Sequence, residues 1–281
     1  MNNPIAIVTG GAGFIGSHMV DLLLSEGYEV RVLDNFSGGH ERNLEQHAQN
    51  PLLHVHKADI CQLASRDNLF KGVKYIFHFA GIGDIVPSIE KPADYMNTNV
   101  QGTVRVLEAS RNAGVKKFVY AASSSCYGLA ATPTREDHPI SPQYPYALSK
   151  YQGEQVAFHW HQVYGLPVNS IRIFNVYGPR VRTTGVYGAV FGVFFKQKLG
   201  KTPFTVVGDG KQSIYRWRAG EVEQFLKLPA IFNGEKLQFK SDWESKLDFH
   251  ETTKNLEKNF RSKKEIIKFN NNFFKQLKTL L

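Results

Sequence analysis

The sequence predicts an α/β fold built on a doubly wound parallel sheet. Short runs rich in β-branched residues alternate with longer segments whose apolar residues recur every three or four positions. The first run leads directly into a glycine-rich turn and then into a helical segment. Because neighbouring parallel strands need crossover connections, this alternation predicts one sheet with helices on both faces.

Six strands are predicted, at PIAIVTG (4–10), YEVRVLD (28–34), HVHKAD (54–59), KYIFHFAG (74–81), KKFVYAAS (116–123) and VNSIRIF (168–174). Helical periodicity covers SHMVDLLLSEG (17–27) and NTNVQGTVRVLEASRNAG (97–114). We expect Gly27 and Gly114 to end these two helices, since glycine readily adopts the left-handed conformation found there.

The first strand is followed by TGGAGFIGSH (9–18), which carries Gly10, Gly13 and Gly16 ahead of a helix. Such glycines let backbone amides and a helix N-terminus approach a diphosphate. Asp34 ends the next strand, where a carboxylate would bind a ribose diol and repel a 2′-phosphate. The pattern predicts a Rossmann-like domain that binds NAD rather than NADP, although Asp34 could instead serve only as a turn-forming residue.

The segment YPYALSKYQGE (144–154) places Tyr146 and Lys150 four residues apart, on one face of an expected helix. An ammonium one turn away favours the phenolate form of a tyrosine. Tyr146 could then take a proton from a sugar hydroxyl as hydride leaves the same carbon. Ser123, at the end of the fifth strand, could donate a hydrogen bond to the developing carbonyl. These three residues are the catalytic candidates.

Composition limits the other classes of function. The chain is 42% hydrophobic and has no apolar stretch long enough to span a membrane, so we expect a soluble cytoplasmic protein without a membrane partner. Cys61, Cys126 and the ten histidines show no ligand spacing, so no metal is expected. The net charge of +9 concentrates in runs such as RSKKEIIKFNNNFFKQLKTLL (261–281), which we interpret as a solvated helix rather than a nucleic-acid-binding surface.

Four motifs together resemble the extended short-chain dehydrogenase/reductase family, in particular its NAD-dependent nucleotide-sugar epimerases and dehydratases of the UDP-glucose 4-epimerase kind. The motifs are TGGAGFIGSH, SSSCYG (123–128), YALSK (146–150) and RIFNVYGPR (172–180). The resemblance covers roughly residues 4–213. Several motifs in the family's order are more specific than a single glycine pattern.

The resemblance implies a role for each residue at a matching position. Phe14 and Ile15 would lie along the pyrophosphate, Asp34 and Asn35 at the adenosine ribose, Asp59 and Ile60 at the adenine, Ala80, Gly81 and Asn99 at the nicotinamide half, and Tyr146, Lys150 and Phe174 at the nicotinamide ribose and ring. The implied contacts with a nucleotide-sugar substrate are Ser123, Ser125, Asn175 and Arg218. Phe174 could instead be a core aromatic at a strand end, and Asn99 a helix cap.

One tetrapeptide favours one branch of the family. The 4,6-dehydratases place Thr-Asp-Glu before the Tyr-Gly pair, and related decarboxylases keep a Glu there. This chain has SSSC (123–126), without a carboxylate. Elimination of water would therefore lack its acid and base, and the expected reaction is 4-epimerisation of a UDP-hexose through transient oxidation at C4 with Tyr146 as base. A nucleotide-sugar dehydratase is the less favoured alternative.

The family pattern breaks within VVGDGKQSIYRWRAGE (206–221). After Ser213 the expected continuation is absent, and RAGE (218–221) resembles a later part of the family sequence. We interpret this point, near 213–218, as the seam of an internal deletion, although a divergent loop is the alternative. The predicted domains are an NAD-binding domain over 1–175 and a small, incomplete substrate-binding portion over 176–281. A catalytically defective NAD-binding remnant or regulatory protein is the second functional hypothesis.

The resemblance also implies a homodimer, in which the helices around 95–113 and 145–164 pair two subunits. Apolar residues on these helices, including Val104, Leu107 and Val156, could equally belong to the core of one chain.

Overall fold

The computed structural model describes residues 3–181 and 199–200 of the chain. The expectations for Arg218, the seam near 213–218, the basic C-terminal runs and most of the portion 176–281 lie outside the described residues.

Within residues 3–181, six parallel strands form one sheet in the order β3-β2-β1-β4-β5-β6. The strands are β1 (Ile5–Thr9), β2 (Glu29–Asp34), β3 (Leu53–Lys57), β4 (Val73–His78), β5 (Lys117–Ser123) and β6 (Val168–Ile173). This is the strand order of the Rossmann fold. The predicted fold class is confirmed, and each of the six predicted strands is present with ends that differ by at most three residues.

The α-helices of the described residues are α1 (Phe14–Ser25), α2 (Ile85–Glu90), α3 (Pro92–Met96), α4 (Thr103–Ala113) and α5 (Pro145–Tyr164). Short 3₁₀ turns lie at Glu41–Asn43, Glu45–His47, Ile60–Gln62, Asn68–Phe70 and Ser124–Tyr127. Gly27 and Gly114 have φ values of +78° and +65°, so both glycines follow helix ends as predicted. No helix in this part of the chain has the length and apolarity needed to cross a bilayer.

The predicted helix over 97–114 has two different parts. Residues Asn97–Gly102 form a π-helical turn that continues into α4. Asn99 lies in the middle of the π turn and is 1% exposed, so the alternative of Asn99 as a helix cap is wrong. Such wide turns are rare and often lie at functional sites.

Both faces of the sheet are covered by apolar side chains, as parallel sheets require. On one face, residues of β1 and β2 pack against α1; the buried residues there are Ala6, Val8, Val20, Leu23, Leu24, Val30 and Val32. On the other face, β1, β4 and β5 pack against α4 and α5, burying Ile7, Ile76, Val106, Leu107, Phe118 and Ala157. Leu107 is fully buried and Val156 packs against the same cluster, so these two residues belong to the core of one chain.

Candidate active site

The carboxyl ends of β1 and β4 are adjacent, and the chain leaves them in opposite directions along the sheet. Ligands of doubly wound sheets bind at such a switch point. Gly10 follows β1 with a φ of +67°, and a Cβ there would lie 2.7 Å from the Ala80 amide nitrogen. A Cβ on Gly16 would lie 2.2 Å from the Gly10 carbonyl oxygen. The turn therefore accepts no side chain at Gly10 or Gly16, and it leads directly into the N-terminus of α1 beside the end of β4.

The carboxylate of Asp34 is only 7% exposed and holds the turn in place. Oδ2 accepts a hydrogen bond from the Ala12 amide at 3.0 Å, and Oδ1 accepts one from the Phe36 amide at 2.8 Å. The turn-forming role considered for Asp34 is thus present in the structure. Since a carboxylate has about four acceptor positions, the side chain can also accept hydrogen bonds from ribose hydroxyls.

The other residues of the predicted adenosine half lie after β2 and β3. The side chain of Asn35 accepts a hydrogen bond from the Ser37 amide at 3.0 Å, and that of Asp59 accepts one from the Cys61 amide at 2.9 Å. Ile60 is 5% exposed and belongs to the hydrophobic core. Phe14 and Ile15 form the first turn of α1, directly after the glycines.

Asn99 binds the segment after β4 that is predicted to lie at the nicotinamide half. Its Oδ1 accepts a hydrogen bond from the Ile82 amide at 2.8 Å, and its Nδ2 donates to the Ile82 carbonyl and to the Ser149 hydroxyl, both at 3.0 Å. A Cβ on Gly81 would lie 2.9 Å from Asn99 Oδ1 and 3.8 Å from Lys150 Nζ. The structure thus brings Gly81, Asn99 and Lys150 together.

Lys150 lies one turn after Tyr146 on α5 and is 7% exposed. Its Nζ lies 4.6 Å from the centroid of the Tyr120 ring, a cation–π contact. Burial lowers the pKa of Lys150 to about 8, while the nearby carboxylate of Glu154 acts in the opposite direction. An ammonium in this position would electrostatically favour a phenolate one turn away.

Tyr146 lies in the first turn of α5, half-buried, with its ring edge-on to Tyr95 at 6.3 Å. Burial raises its pKa, a hydrogen bond with Ser123 lowers it, and the negative charge of Asp84 raises it. Ser123 at the end of β5 and Tyr146 on α5 therefore lie close enough to interact.

Sequence reasoning did not identify Asp84, which lies in the loop between β4 and α2. Its backbone has a φ of +74°, a conformation that few non-glycine residues adopt. The preceding residue, Gly83, accepts a hydrogen bond from the Tyr95 hydroxyl. No motif marks this aspartate, because its relation to Tyr146 depends on the loop conformation.

The turn after β5 carries the predicted substrate contacts Ser123 and Ser125, whose hydroxyls lie 2.8 Å apart. Ser123 also accepts a hydrogen bond from the Ser125 amide at 3.2 Å. Phe174, after β6, is 59% exposed and stacks on the Tyr127 ring at 6.5 Å, so the alternative of Phe174 as a core aromatic is wrong. Asn175 is exposed next to it.

Residues 6–214 match the NAD dependent epimerase/dehydratase family. The chain belongs to this family. It is an enzyme of the extended short-chain dehydrogenase/reductase type, and NAD is its cofactor, as the sequence predicts. The turn with its closely packed Gly10 and Gly16, the carboxylate of Asp34 and the segment held by Asn99 fit the diphosphate, ribose and nicotinamide of NAD.

The chain is 39% identical over 211 residues to a UDP-glucose 4-epimerase of Mycolicibacterium smegmatis, covering 74% of this chain and 67% of that protein. Among solved structures, a UDP-N-acetylglucosamine 4-epimerase of Methanobrevibacter ruminantium in complex with UDP-N-acetylmuramic acid has a TM-score of 0.70 at 32% identity, covering 75% of this chain and 67% of that one. A UDP-glucuronic acid 4-epimerase of Bacillus cereus with UDP-glucuronic acid and NAD has a TM-score of 0.67 at 30% identity, covering 73% and 66%.

Proteins with other activities are also similar. They include UDP-glucuronic acid decarboxylase 1 of Arabidopsis thaliana and the dTDP-glucose 4,6-dehydratase DesIV of Streptomyces venezuelae, at 35% and 34% identity. The chain spans about two thirds of the length of the epimerases it matches.

Proposed function

We propose that this enzyme catalyses the NAD-dependent 4-epimerisation of a UDP-hexose. The observation that carries the proposal is the turn next to the Tyr146–Lys150 pair. This turn offers the hydroxyls of Ser123, Ser124 and Ser125 and the thiol of Cys126, but no carboxylate. The relatives named as UDP-sugar 4-epimerases support the assignment.

The protein groups fit the proton transfers of this reaction. Bound NAD would accept hydride from C4 of the sugar and return it to the opposite face. Tyr146 would take the proton of the C4 hydroxyl as base and give it back at the end. Ser123, which interacts with Tyr146, would donate a hydrogen bond to the C4 oxygen. The cation of Lys150, one helical turn after Tyr146, would favour the phenolate.

Dehydration would need more than this arrangement offers. Eliminating water requires an additional acid and base beyond the tyrosine, placed by the resemblance at the turn 123–126. Asp84, which acts electrostatically on Tyr146, lies outside this turn, in the loop after β4. One carboxylate outside the turn does not replace the acid–base pair, so epimerisation is the better assignment.

Replacement of Tyr146 by Phe tests the assignment of the base. We expect the variant to retain as much NAD as the wild type, measured after acid denaturation, and to lose at least about 10²-fold in the rate of UDP-glucose/UDP-galactose interconversion. Unchanged turnover in the variant would show that Tyr146 is not the base.

A catalytically defective NAD-binding remnant or regulatory protein is the second candidate function. It is favoured by the sequence after Ser213, since the family match ends at residue 214, next to the predicted seam. A panel of UDP-hexoses distinguishes the two, because only the enzyme interconverts epimers while both bind NAD. We propose that Asn175, the last residue of the predicted NAD-binding domain, and Arg218, in the predicted substrate-binding portion 176–281, bind the substrate.

We further propose that the enzyme is a cytoplasmic homodimer paired through α5 and the residues before α4. An open depression of about 640 Å³ lies there, lined by Met96, Asn97, Val100, Gln101 and Gln152. Leu148, one turn before Gln152, is 39% exposed. Light scattering should give twice the chain mass for the wild type and the single mass for Leu148→Asp.

A further inference from the structure

A buried histidine at the end of β4 connects the two halves of the cofactor edge. His78 is 0% exposed, and both nitrogens of its ring contact threonine hydroxyls. Nδ1 lies 2.7 Å from Thr9 Oγ1 at the end of β1, and Nε2 lies 2.9 Å from Thr103 Oγ1 at the start of α4. Thr9 and Thr103 are themselves at most 1% exposed. The site described above does not use this histidine.

The partners of the threonines determine the direction of each hydrogen bond. Thr103 Oγ1 lies 2.7 Å from the Asn99 carbonyl oxygen, which can only accept, so this hydroxyl donates to it. Its oxygen then accepts from His78, which places the imidazole proton on Nε2. Burial lowers the pKa of His78 to about 3, so the ring is neutral and Nδ1 carries no proton.

The directions of the hydrogen bonds on the Thr9 side of His78 follow in the same way. Nδ1 accepts from the Thr9 hydroxyl, and Thr9 Oγ1 accepts from the Ala80 amide at 3.2 Å. The hydrogen bonds therefore run in one consistent order, Ala80 N–H to Thr9 to His78 to Thr103 to the Asn99 carbonyl. The two threonine hydroxyls and the neutral imidazole each accept one hydrogen bond and donate one.

The two ends of this chain of hydrogen bonds are Ala80 and Asn99, which are predicted to lie at the nicotinamide half of NAD. Asn99 is fixed through its carbonyl by Thr103 and through its side chain to Ile82. Ala80 is fixed through its amide by Thr9. Residues 80–82 are thus held at both ends, and the π-helical turn that carries Asn99 is anchored at its C-terminal side.

We propose that His78 is a positioning residue, which in one neutral tautomer links β1 to the π-helical turn and fixes residues 80–82 and Asn99 for the nicotinamide half of NAD. The proposal rests on the NAD site, and it uses the proposed epimerase activity only as one readout. His78 does not touch the reacting atoms and transfers no proton in the reaction.

The tautomer is tested directly in the wild type. Nitrogen-15 NMR of histidine-labelled protein should show one ring with a proton on Nε2 alone, unchanged between pH 5 and pH 9. The His78 ring is assigned as the signal that is lost in His78→Asn; if it were protonated on Nδ1, or titrated across this range, the proposal would be overturned whatever the enzyme's activity.

A matched pair of substitutions then tests the hydrogen bonds of His78 with Thr9 and with Thr103 one at a time. In His78→Asn the amide oxygen can replace Nδ1 as acceptor for Thr9, whereas in His78→Gln the amide nitrogen can replace Nε2 as donor to Thr103. We expect hydrogen exchange of the Ile82 amide to accelerate at least tenfold in His78→Asn only, and that of the Ala80 amide in His78→Gln only. Equal acceleration of both amides in both variants would contradict separate links.

Enzyme activity is the last readout. The control is Phe70→Leu, which disturbs the hydrophobic core without removing a hydrogen bond of His78. We expect kcat to fall about 10- to 100-fold in both His78 variants, with KM for the UDP-hexose changed less than about threefold, since a small misplacement lowers rate more than binding. A similar loss in the control would mean that destabilisation alone explains the effect. An inactive wild type would refute the proposed function and leave the NMR and exchange results to decide on His78.

Discussion

At the scale of single residues, two neighbours act in opposite directions on the pKa of Tyr146, the proposed base. Burial raises the pKa of Tyr146, the hydrogen bond with Ser123 lowers it, and the charge of Asp84 raises it. Turnover requires the phenolate, so the rate rises as the pH passes this pKa. We expect Ser123→Ala to move the rising limb of kcat/KM to higher pH and Asp84→Asn to move it to lower pH.

The pH profiles of the two variants check this, with the wild type as reference. Movement of both limbs in the same direction would contradict the assignment of Tyr146 as the titrating base. The amplitude of kcat is a poor measure here, because Ser123 is also expected to contact the substrate.

The buried ammonium of Lys150 lowers the stability of the folded chain. Burial lowers the pKa of Lys150 to about 8 in the folded chain, whereas an exposed lysine has a pKa of 10.5. Between pH 8 and pH 10.5 the unfolded state therefore binds more protons than the folded state. Stability should rise with pH across that window. We expect Lys150→Met to raise the free energy of unfolding of the NAD-free protein by roughly 1–3 kcal/mol at pH 7 and to remove that pH dependence, while abolishing turnover.

Urea unfolding of the NAD-free wild type and variant at pH 7 and pH 10 measures the difference. A variant that is less stable at pH 7 would show that the cation–π contact with Tyr120 outweighs the cost of the buried charge.

The placement of Tyr146 and Lys150 one turn apart on α5 could be predicted from the sequence, because helical periodicity puts residues four apart on one face. Asp84 and His78 could not. The influence of Asp84 depends on a loop with positive φ, and His78 occupies one position of a strand pattern whose polar partners lie 69 and 25 residues away.

At the scale of elements, one ion pair connects α5 to β6. Glu154 is 2% exposed and accepts hydrogen bonds from the Arg172 guanidinium at 2.9–3.1 Å. Arg172 also donates to the Tyr127 hydroxyl at 2.8 Å and to the Glu136 carbonyl at 3.1 Å. Arg172 therefore holds β6, α5 and the loop after β5 together.

We expect Glu154→Gln to lower the free energy of unfolding by about 2–4 kcal/mol, since it leaves a partly buried guanidinium without its counter-charge. Loosening of the loop with Ser123 and Ser125 should also raise KM for the UDP-hexose more than it lowers NAD content. Arg172→Lys is the matched control, which keeps the charge but loses the planar fork. A Glu154→Gln variant as stable as the wild type would show that the pair contributes nothing net.

The six strands and the helices α1, α4 and α5 followed from the sequence, whereas α2, α3 and the π-helical turn did not. Strand alternation and terminal glycines predicted the sheet and the ends of α1 and α4. The π-helical turn at 97–102 could not be predicted, because it depends on the contacts of Asn99 with Ile82 and Ser149, which come from other elements.

At the scale of the whole molecule, the segment after β6 returns to the glycine-rich end of the sheet. Arg180 pairs with Asp21 of α1 and donates to the Asn43 carbonyl at 3.2 Å. His47 also contacts Asp21, at 2.8 Å. Burial raises the pKa of Asp21, but the hydrogen bonds from Arg180 and His47 outweigh it and hold the pKa below its ordinary value.

Gly178, two residues before Arg180, lies against the Phe14 ring at the start of α1, so this ion pair holds the segment over the predicted pyrophosphate site. We expect Asp21→Asn to speed NAD dissociation about 3- to 10-fold, with KM for the UDP-hexose changed less. The NAD released over time, separated from the protein by gel filtration and assayed enzymatically, measures this rate, and His47→Ala, which keeps the Arg180 pair, should have a smaller effect. Equal NAD retention in Asp21→Asn and wild type would refute this role.

The central claim is tested most directly by incubating the wild-type protein with UDP-glucose in D₂O and following the sugar by proton NMR. Epimerisation through bound NAD predicts a mixture of UDP-glucose and UDP-galactose that keeps its original hydrogen at C4, because the same hydride leaves and returns. A 4-keto-6-deoxy product carrying solvent deuterium would indicate a dehydratase. Full NAD content without any conversion of this or other UDP-hexoses would contradict the epimerase assignment and favour the defective remnant.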